Sequence, residues 1–172
     1  MADLSEEIVS ALRRPEHFSQ SLTERLASCS EEISRILVGD VAPDERMNYS
    51  SSIALHIRFS ESAVALSTAE REAATYDAQF LVSARADLFT IIVLQRAPAT
   101  TAGPVRAWSL VPPAECERVW WPRLRGGSEV LEARGFKPLA GSVLQQSAPG
   151  HKTKLDDAPA TVFEVLFAEL IG

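Results

Sequence analysis

The chain has 172 residues, of which 46% are hydrophobic and 23% are charged. This length and this composition are typical of one globular domain, and they argue against a disordered or fibrous protein. Seventeen basic and 23 acidic side chains give a net charge of −6. That charge disfavours broad non-specific binding to nucleic acids or anionic membranes.

The compartment is predicted from the N-terminus, the apolar runs and the cysteines. The opening stretch MADLSEEIVSALRR carries acids where a secretory signal carries basic residues. The longest strongly apolar run, residues 89–94, is far too short to cross a membrane. Cys29 and Cys116 lack metal-ligand spacing and are too few for a disulfide framework, so we expect two reduced, buried thiols. The sequence therefore predicts a cytoplasmic protein, and the Ala- and Arg-rich composition suggests a bacterial one.

The first part of the chain has apolar residues at helical spacing. Leu4, Ile8 and Leu12 predict a first helix with acids in its first turn, where the helix dipole favours them. A second stripe predicts a longer amphipathic helix that ends near Gly39. This stripe comprises Leu22, Leu26, Cys29, Ile33, Ile36 and Leu37. Residues 41–46 are predicted to be a loop.

The middle of the chain begins with a strand. The segment SSIALHIRFS alternates apolar and polar residues, and this period of two predicts a half-buried strand. Residues 63–67 are predicted to be its hairpin partner. Residues 68–85 fit a helix opened by a capping box of Ser67 and Glu70, and a strand over residues 79–83 is the alternative.

Two more strands and a helix follow. The segment DLFTIIVLQR is apolar on both faces and predicts a central strand, and VRAWSLV predicts the next one. The segment PAECERVWW predicts a helix started by proline. Gly126 and Gly127 are interpreted as a flexible joint after it, and a short helix is predicted between Ser128 and Gly135.

These elements predict an α+β fold in a single domain. Helices occupy residues 1–39, and a small mixed or antiparallel sheet of about four strands, with a connecting helix, occupies residues 49–121. Residues 122–157 are predicted to be loop-rich, and residues 158–171 to form a C-terminal helix that is apolar nearly all round and therefore buried. Because the helices offer more apolar surface than four strands cover, we expect a homodimer.

No motif in the sequence defines a reaction. Dinucleotide, phosphate-loop, zinc-protease and serine-hydrolase patterns are all missing. His17, His56 and His151 are far apart and have no carboxylate at ligand spacing. We therefore predict no catalytic residue, no metal site and no cofactor from motifs.

One polar cluster is predicted on the first strand. His56 and Arg58 share the face opposite the apolar residues, and Glu61 follows closely. This face is either a solvated strand surface or a polar site held on a rigid strand.

The second candidate site is a basic stretch. Residues 101–154 hold eight basic and four acidic side chains in an otherwise acidic chain. Because adjacent helical residues point about 100° apart, one of the two neighbouring tryptophans should lie in the core. The stretch either pins a helix, anchors a protein partner or stacks on nucleic acid. Its candidate residues are Arg118, Trp120, Trp121, Arg123, Arg125, Lys152 and Lys154.

The order of strand SIALHIRFS, helix, strand ADLFTIIVL and strand VRAWSLVPPAE resembles the middle of restriction-endonuclease-like domains, over roughly residues 50–120. Those nucleases carry Glu-x-Lys on a strand and hold a divalent metal with paired carboxylates. This chain has His56, Ile57 and Arg58 at that place, and no obvious acid on a preceding strand. The resemblance therefore implies a catalytically silent relative that binds nucleic acid.

Three functions are compatible with the sequence. The first is a non-catalytic cytoplasmic binding protein, either an adaptor, a regulator or an immunity-type protein with a protein partner. The second is a degenerate or divergent restriction-endonuclease-like domain that binds nucleic acid. The third is a small enzyme whose nearest candidate cluster is His56, Arg58 and Glu61.

Overall fold

The computed structural model of the protein describes residues 4–37, 41–44, 51–58, 75–96, 108–110 and 116–167. The helices are α1 (Glu6–Arg13), α2 (Gln20–Leu37), α3 (Trp121–Ala133), α4 (Gly141–Leu144) and α5 (Val162–Leu166), with a π-helical turn (Cys116–Trp120) leading into α3. The strands are β1 (Val41–Asp44), β2 (Ser52–Arg58), β3 (Thr75–Ser83), β4 (Leu88–Arg96), β5 (Trp108–Leu110), β6 (Lys137–Pro138), β7 (Ser147–Lys152) and β8 (Pro159–Thr161). The predicted α+β class, with helices before and after the sheet, is confirmed.

Within the described residues, the central sheet is mixed and has six strands. Strands β1 to β5 follow one another as an antiparallel meander. The two-residue strand β6 runs parallel to β4 and pairs with its first residues, whereas β5 pairs with its last ones. The central strand predicted over DLFTIIVLQR is confirmed as β4, and VRAWSLV contributes β5.

Apolar layers cover both faces of the sheet. On one face, α2, the π-helical turn and α3 pack against alternate residues of β2, β3 and β4, among them Leu55, Phe80 and Ile91. On the other face, α1, α4, α5 and the β7–β8 hairpin pack against the intervening residues, among them Ala54 and Leu81. The sheet therefore separates two cores, and a surface built on one layer lies opposite a surface built on the other.

The N-terminal helices form where the sequence predicts them. Ser5 caps α1 by accepting a hydrogen bond from the Ile8 amide, and two glutamates follow in the first turn. The stripe of α2 is buried from Leu22 to Ile33, whereas Ile36 remains 48% exposed. The predicted burial of both cysteines is also confirmed. Burial raises the pKa of Cys29 above its ordinary value.

The loop predicted over residues 41–46 is wrong in its first part, because residues 41–44 form β1. A proline argues against a central strand since it cannot donate to the hydrogen-bond ladder. Pro43 is accommodated because, among the strands that the structure describes, β1 lies at the end of the order and pairs with β2 alone.

The helix predicted over residues 68–85 is wrong where the structure describes it. Residues 75–83 form β3, which contains the alternative strand predicted over residues 79–83. Tyr76, Ala78, Phe80 and Val82 alternate into the core between β2 and β4, and pairing on both sides outweighs the local helix pattern. Residues 63–67 and 68–74 lie outside the described residues.

The flexible joint predicted at Gly126 and Gly127 is also wrong. Both glycines lie inside α3, which runs unbroken to Ala133. A Cβ atom at Gly126 would lie 2.7 Å from Cγ2 of Ile36, and one at Gly127 would lie 2.6 Å from Cζ of Phe80. The two glycines therefore let α3 approach α2 and the sheet closely.

The C-terminal part is more regular than predicted. Residues 122–157 contain most of α3 together with β6, α4 and β7, so they are not loop-rich. Within residues 158–171 the described helix is only α5, preceded by β8. The start of α5 is fixed by a capping box between Thr161 and Glu164, which explains why the helix begins late in the apolar segment.

Candidate functional site

One of the two neighbouring tryptophans lies in the core, as the sequence predicts. Trp120, the last residue of the π-helical turn, is 0% exposed. Its ring lies 4.9 Å from the ring of Tyr76 on β3, centroid to centroid, at an interplanar angle of 43°. Tilted aromatic pairs of this kind add to the stabilisation from burial. Trp120 therefore pins the start of α3 to the sheet.

Trp121 begins α3 and is 37% exposed. Pro122 and Arg125 are exposed beside it, and Arg118 is exposed three residues earlier. Residues four apart share a helix face, so Trp121 and Arg125 are neighbours on the surface. We call Arg118, Trp121, Pro122 and Arg125 the Trp121 stripe.

Two contacts of the arginines on α3 show which of these side chains belong to the exposed stripe. Arg125 forms an exposed ion pair with Glu129, with Nε and Oε1 2.9 Å apart. Arg123 is half-buried, and its guanidinium carbon lies 5.7 Å from the ring centroid of Trp120. Arg123 therefore belongs with the buried tryptophan, and Arg118 and Arg125 are the exposed cations of the stripe.

Lys152 and Lys154 do not join the Trp121 stripe. They lie at and after the end of β7, whose hairpin packs on the opposite face of the sheet from α3. Lys152 is paired with Asp157, and Lys154 Nζ lies 2.8 Å from Oε1 of Glu16. The basic stretch predicted from the sequence is therefore divided between two surfaces.

Glu16 is the centre of a separate group of charged and polar contacts. Its carboxylate accepts hydrogen bonds from Lys154, Arg85 and Ser51. Burial alone would raise its pKa, but the hydrogen bonds from Lys154 and Ser51, with the charges of Lys154 and Arg85, hold the pKa below its ordinary value. This carboxylate ties the α1–α2 connection to the sheet and to the β7–β8 hairpin.

The strand-face cluster contains two residues that sequence reasoning missed. His56 Nδ1 lies 3.2 Å from Oδ2 of Asp77, and Gln79 Nε2 donates to the same oxygen at 3.1 Å. Gln79 stands directly opposite His56 in the register, and Asp77 stands opposite Arg58. Glu61 lies outside the described residues. The alternation in TYDAQFLV is the sequence signal that places Asp77 and Gln79 together on the face of His56.

This cluster is half-buried rather than a solvated strand face. Ala54, on the same face of β2, is buried in the second core, and Gln79 is only 3% exposed. Because a carboxylate only accepts hydrogen bonds, His56 donates from Nδ1, and Asp77 thereby fixes the orientation of the imidazole ring. A histidine oriented by a carboxylate is common at general-base sites, but here the other ring nitrogen, Nε2, is buried. The cluster and α3 lie on opposite faces of the sheet.

Within the part of the chain that the structure describes, no three histidine, cysteine, aspartate or glutamate side chains are placed to hold a metal ion. None of the helices described there combines the length and apolarity that a membrane crossing requires.

Comparisons of the chain with protein-family models, with curated proteins and with solved structures found no significant match. The resemblance to restriction-endonuclease-like domains therefore stays a prediction.

Proposed function

We propose that the chain is a non-catalytic cytoplasmic binding protein that docks a protein partner through the Trp121 stripe. The observation that supports this proposal most strongly is the contrast between the two tryptophans. Trp120 is wholly buried and fixes the helix, whereas its neighbour Trp121 is 37% exposed. Folding of this chain buries Trp120 completely, but it leaves much of the apolar surface of Trp121 in water.

The residues of the stripe have the chemistry of an interface anchor. Tryptophan and arginine are the residue types that most often dominate the free energy of protein–protein association. Such anchors act best on a rigid support, because little conformational entropy is then lost on binding. Trp121 stands on a 13-residue helix that packs on both α2 and the sheet.

The charges of the stripe favour a partner whose apolar pocket is bordered by acidic side chains. Arg118 and Arg125 flank Trp121, and both are exposed. Charges at the rim of an interface steer association and select the partner, whereas the buried aromatic residue supplies affinity. A protein partner is favoured over nucleic acid for two reasons. Lys152 and Lys154 lie away from the stripe, and Arg125 already forms an ion pair with Glu129.

Site-specific photo-crosslinking tests this proposal. A photoreactive amino acid is placed at Arg118 or at Arg125, and a matched probe is placed at Leu155, which is 52% exposed on the opposite layer. We expect one discrete crosslinked protein from the two stripe positions and none of it from position 155. Identical products from all three positions, or products that nuclease treatment removes, would contradict a protein-binding stripe; the latter would favour the nucleic-acid alternative.

A small enzyme is the second candidate, and the contact between His56 and Asp77 favours it. The test is turnover of generic ester, amide and phosphodiester substrates by the full chain. Turnover that His56→Ala abolishes and Arg118→Ala preserves would support this candidate. Absence of turnover, or equal turnover in both variants, would count against it.

A further inference from the structure

A cleft lies between the α1–α2 connection, the first turns of α2 and the β3–β4 turn, with a volume of about 350 Å³. Its charged lining consists of Arg14, Arg25, Arg85 and Asp87, together with His17. Arg25 pairs with Asp87 and Arg85 pairs with Glu16, so Arg14 carries the uncompensated positive charge at this cleft, in a chain whose net charge is −6. The volume is within the range of small-molecule sites.

Two of the arginines are held in place by other parts of the protein. Arg25 donates to Asp87 Oδ1 at 3.0 Å and to the carbonyl oxygen of Arg134 at 2.9 Å. Arg85 donates to Glu16 and to the carbonyl oxygen of Arg14. These contacts fix both guanidinium groups before any ligand arrives, which lowers the entropic cost of binding.

The third arginine of the cleft is Arg14. Within the described residues, no carboxylate lies at ion-pair distance from Arg14. Arg85 Nε is buried and has no acceptor in that same part of the chain. Because this N–H is closed off from solvent, the exposed guanidinium of Arg14 is the arginine group that an anion in the cleft contacts directly.

The start of α2 adds donors to the same cleft. Ser19 caps the helix through a hydrogen bond from the Leu22 amide at 3.1 Å, and Ser19 and Ser21 both line the cleft. The positive end of this 18-residue helix therefore faces the space that the arginines border. No acidic residue lies in the first turn of α2 to compete with an anion there.

We infer that this cleft binds a small phosphate-bearing ligand, a site separate from the Trp121 stripe. The donors come from three segments of the chain, so an anion whose oxygen atoms point in several directions engages more of them than a planar carboxylate does. Arg14 and the amino end of α2 make the direct contacts, and Arg25 and Arg85, each held by a carboxylate, border the site.

Isothermal titration calorimetry with inorganic phosphate at low ionic strength tests the site, with acetate as the comparison anion. We expect one phosphate per chain and weaker binding of acetate. Arg14→Ala should weaken phosphate binding by about tenfold or more, as expected for the loss of a charge-assisted hydrogen bond. Arg13→Ala is the matched control, because Arg13 is adjacent in sequence but lines a neighbouring concavity instead of this cleft. This control should leave the affinity unchanged.

Ser21→Asp separates binding from folding. A carboxylate in the first turn favours the helix through its dipole but repels a bound anion. This variant should therefore unfold at the same temperature as the wild type or a higher one, and lose phosphate binding. Three results would each overturn the assignment: no saturable phosphate binding by the wild type, equal weakening by Arg13→Ala and Arg14→Ala, or acetate binding as tightly as phosphate.

Discussion

Gly127 of α3 faces Phe80 of β3 so closely that a methyl group on Gly127 would lie 2.6 Å from the ring's Cζ atom. Phe80 is fully buried and its ring has little room to move. This approach places the helix that carries the Trp121 stripe directly on the sheet. The absence of a side chain at position 127 is therefore a packing requirement of the fold.

Gly127→Ala is expected to destabilise the protein relative to Gly126→Ala, the adjacent and chemically identical change. Overpacking a core costs about 1–3 kcal/mol, and alanine in place of a helical glycine contributes about 1 kcal/mol of stability in both variants. Gly126→Ala meets Ile36, which is 48% exposed and can move aside. The free energies of unfolding in urea should differ by about 1–3 kcal/mol, and equal values would show that α3 is not held against Phe80.

Glu16→Gln should lower stability in a pH-dependent way. The pKa of Glu16 is held below its ordinary value of 4.5 in the folded protein. A depressed carboxyl pKa stabilises the fold fully above the ordinary value, and this stabilisation is lost as the pH falls through the lower folded value. The difference in unfolding free energy between wild type and Glu16→Gln should therefore be constant near pH 7 and shrink below about pH 4.5.

Glu24→Gln is the control for this titration. Glu24 is exposed on α2 and accepts a hydrogen bond from Gln20 one turn earlier. Its replacement should change stability by less than about 0.5 kcal/mol, as is usual for exposed helix pairs. A difference between Glu16→Gln and wild type that grows toward acid pH would contradict the contacts described for Glu16.

The hydrogen bonds of the strand-face cluster predict that Asp77→Ala destabilises the protein more than Gln79→Leu does. Removal of Asp77 takes away the acceptor to which Gln79 Nε2 donates, at a cost of about 1–3 kcal/mol for a buried group left unpaired. The Gln79 Oε1 atom is buried and has no donor within the described part of the chain. A leucine of similar size should therefore cost less than about 1.5 kcal/mol. Denaturation curves in which Gln79→Leu is the less stable variant would contradict this assignment of the hydrogen bonds.

The parts of the fold predicted correctly are those in which local pattern and tertiary packing agree. Helices α1 and α2 have one apolar face each, and β4 is apolar on both faces because it lies inside the sheet. The apolar residues of β3 also fit a helical face, so the sequence alone predicts a helix there. Only pairing with β2 and β4, which is non-local, decides between the two structures.

Prediction of the candidate sites was limited for the same reason. Helix geometry alone predicts that one of the two neighbouring tryptophans lies in the core, and Trp120 confirms that expectation. The sequence could not show that Lys152 and Arg125 lie on opposite layers. It also gave no sign of Arg14, Arg25 and Arg85 around one cleft, since these residues come together only when the chain folds.

The most direct test of the proposed docking surface is quantitative capture of cellular proteins by immobilised wild type, Trp121→Ala and Leu155→Ala. Each variant removes one exposed large apolar side chain, so both should fold as the wild type does. Truncation of an interface tryptophan typically costs 2 kcal/mol or more, or roughly thirtyfold in affinity. We predict one protein that wild type and Leu155→Ala retain equally and Trp121→Ala loses. Equal retention of that protein by all three baits would contradict the Trp121 stripe as the docking surface.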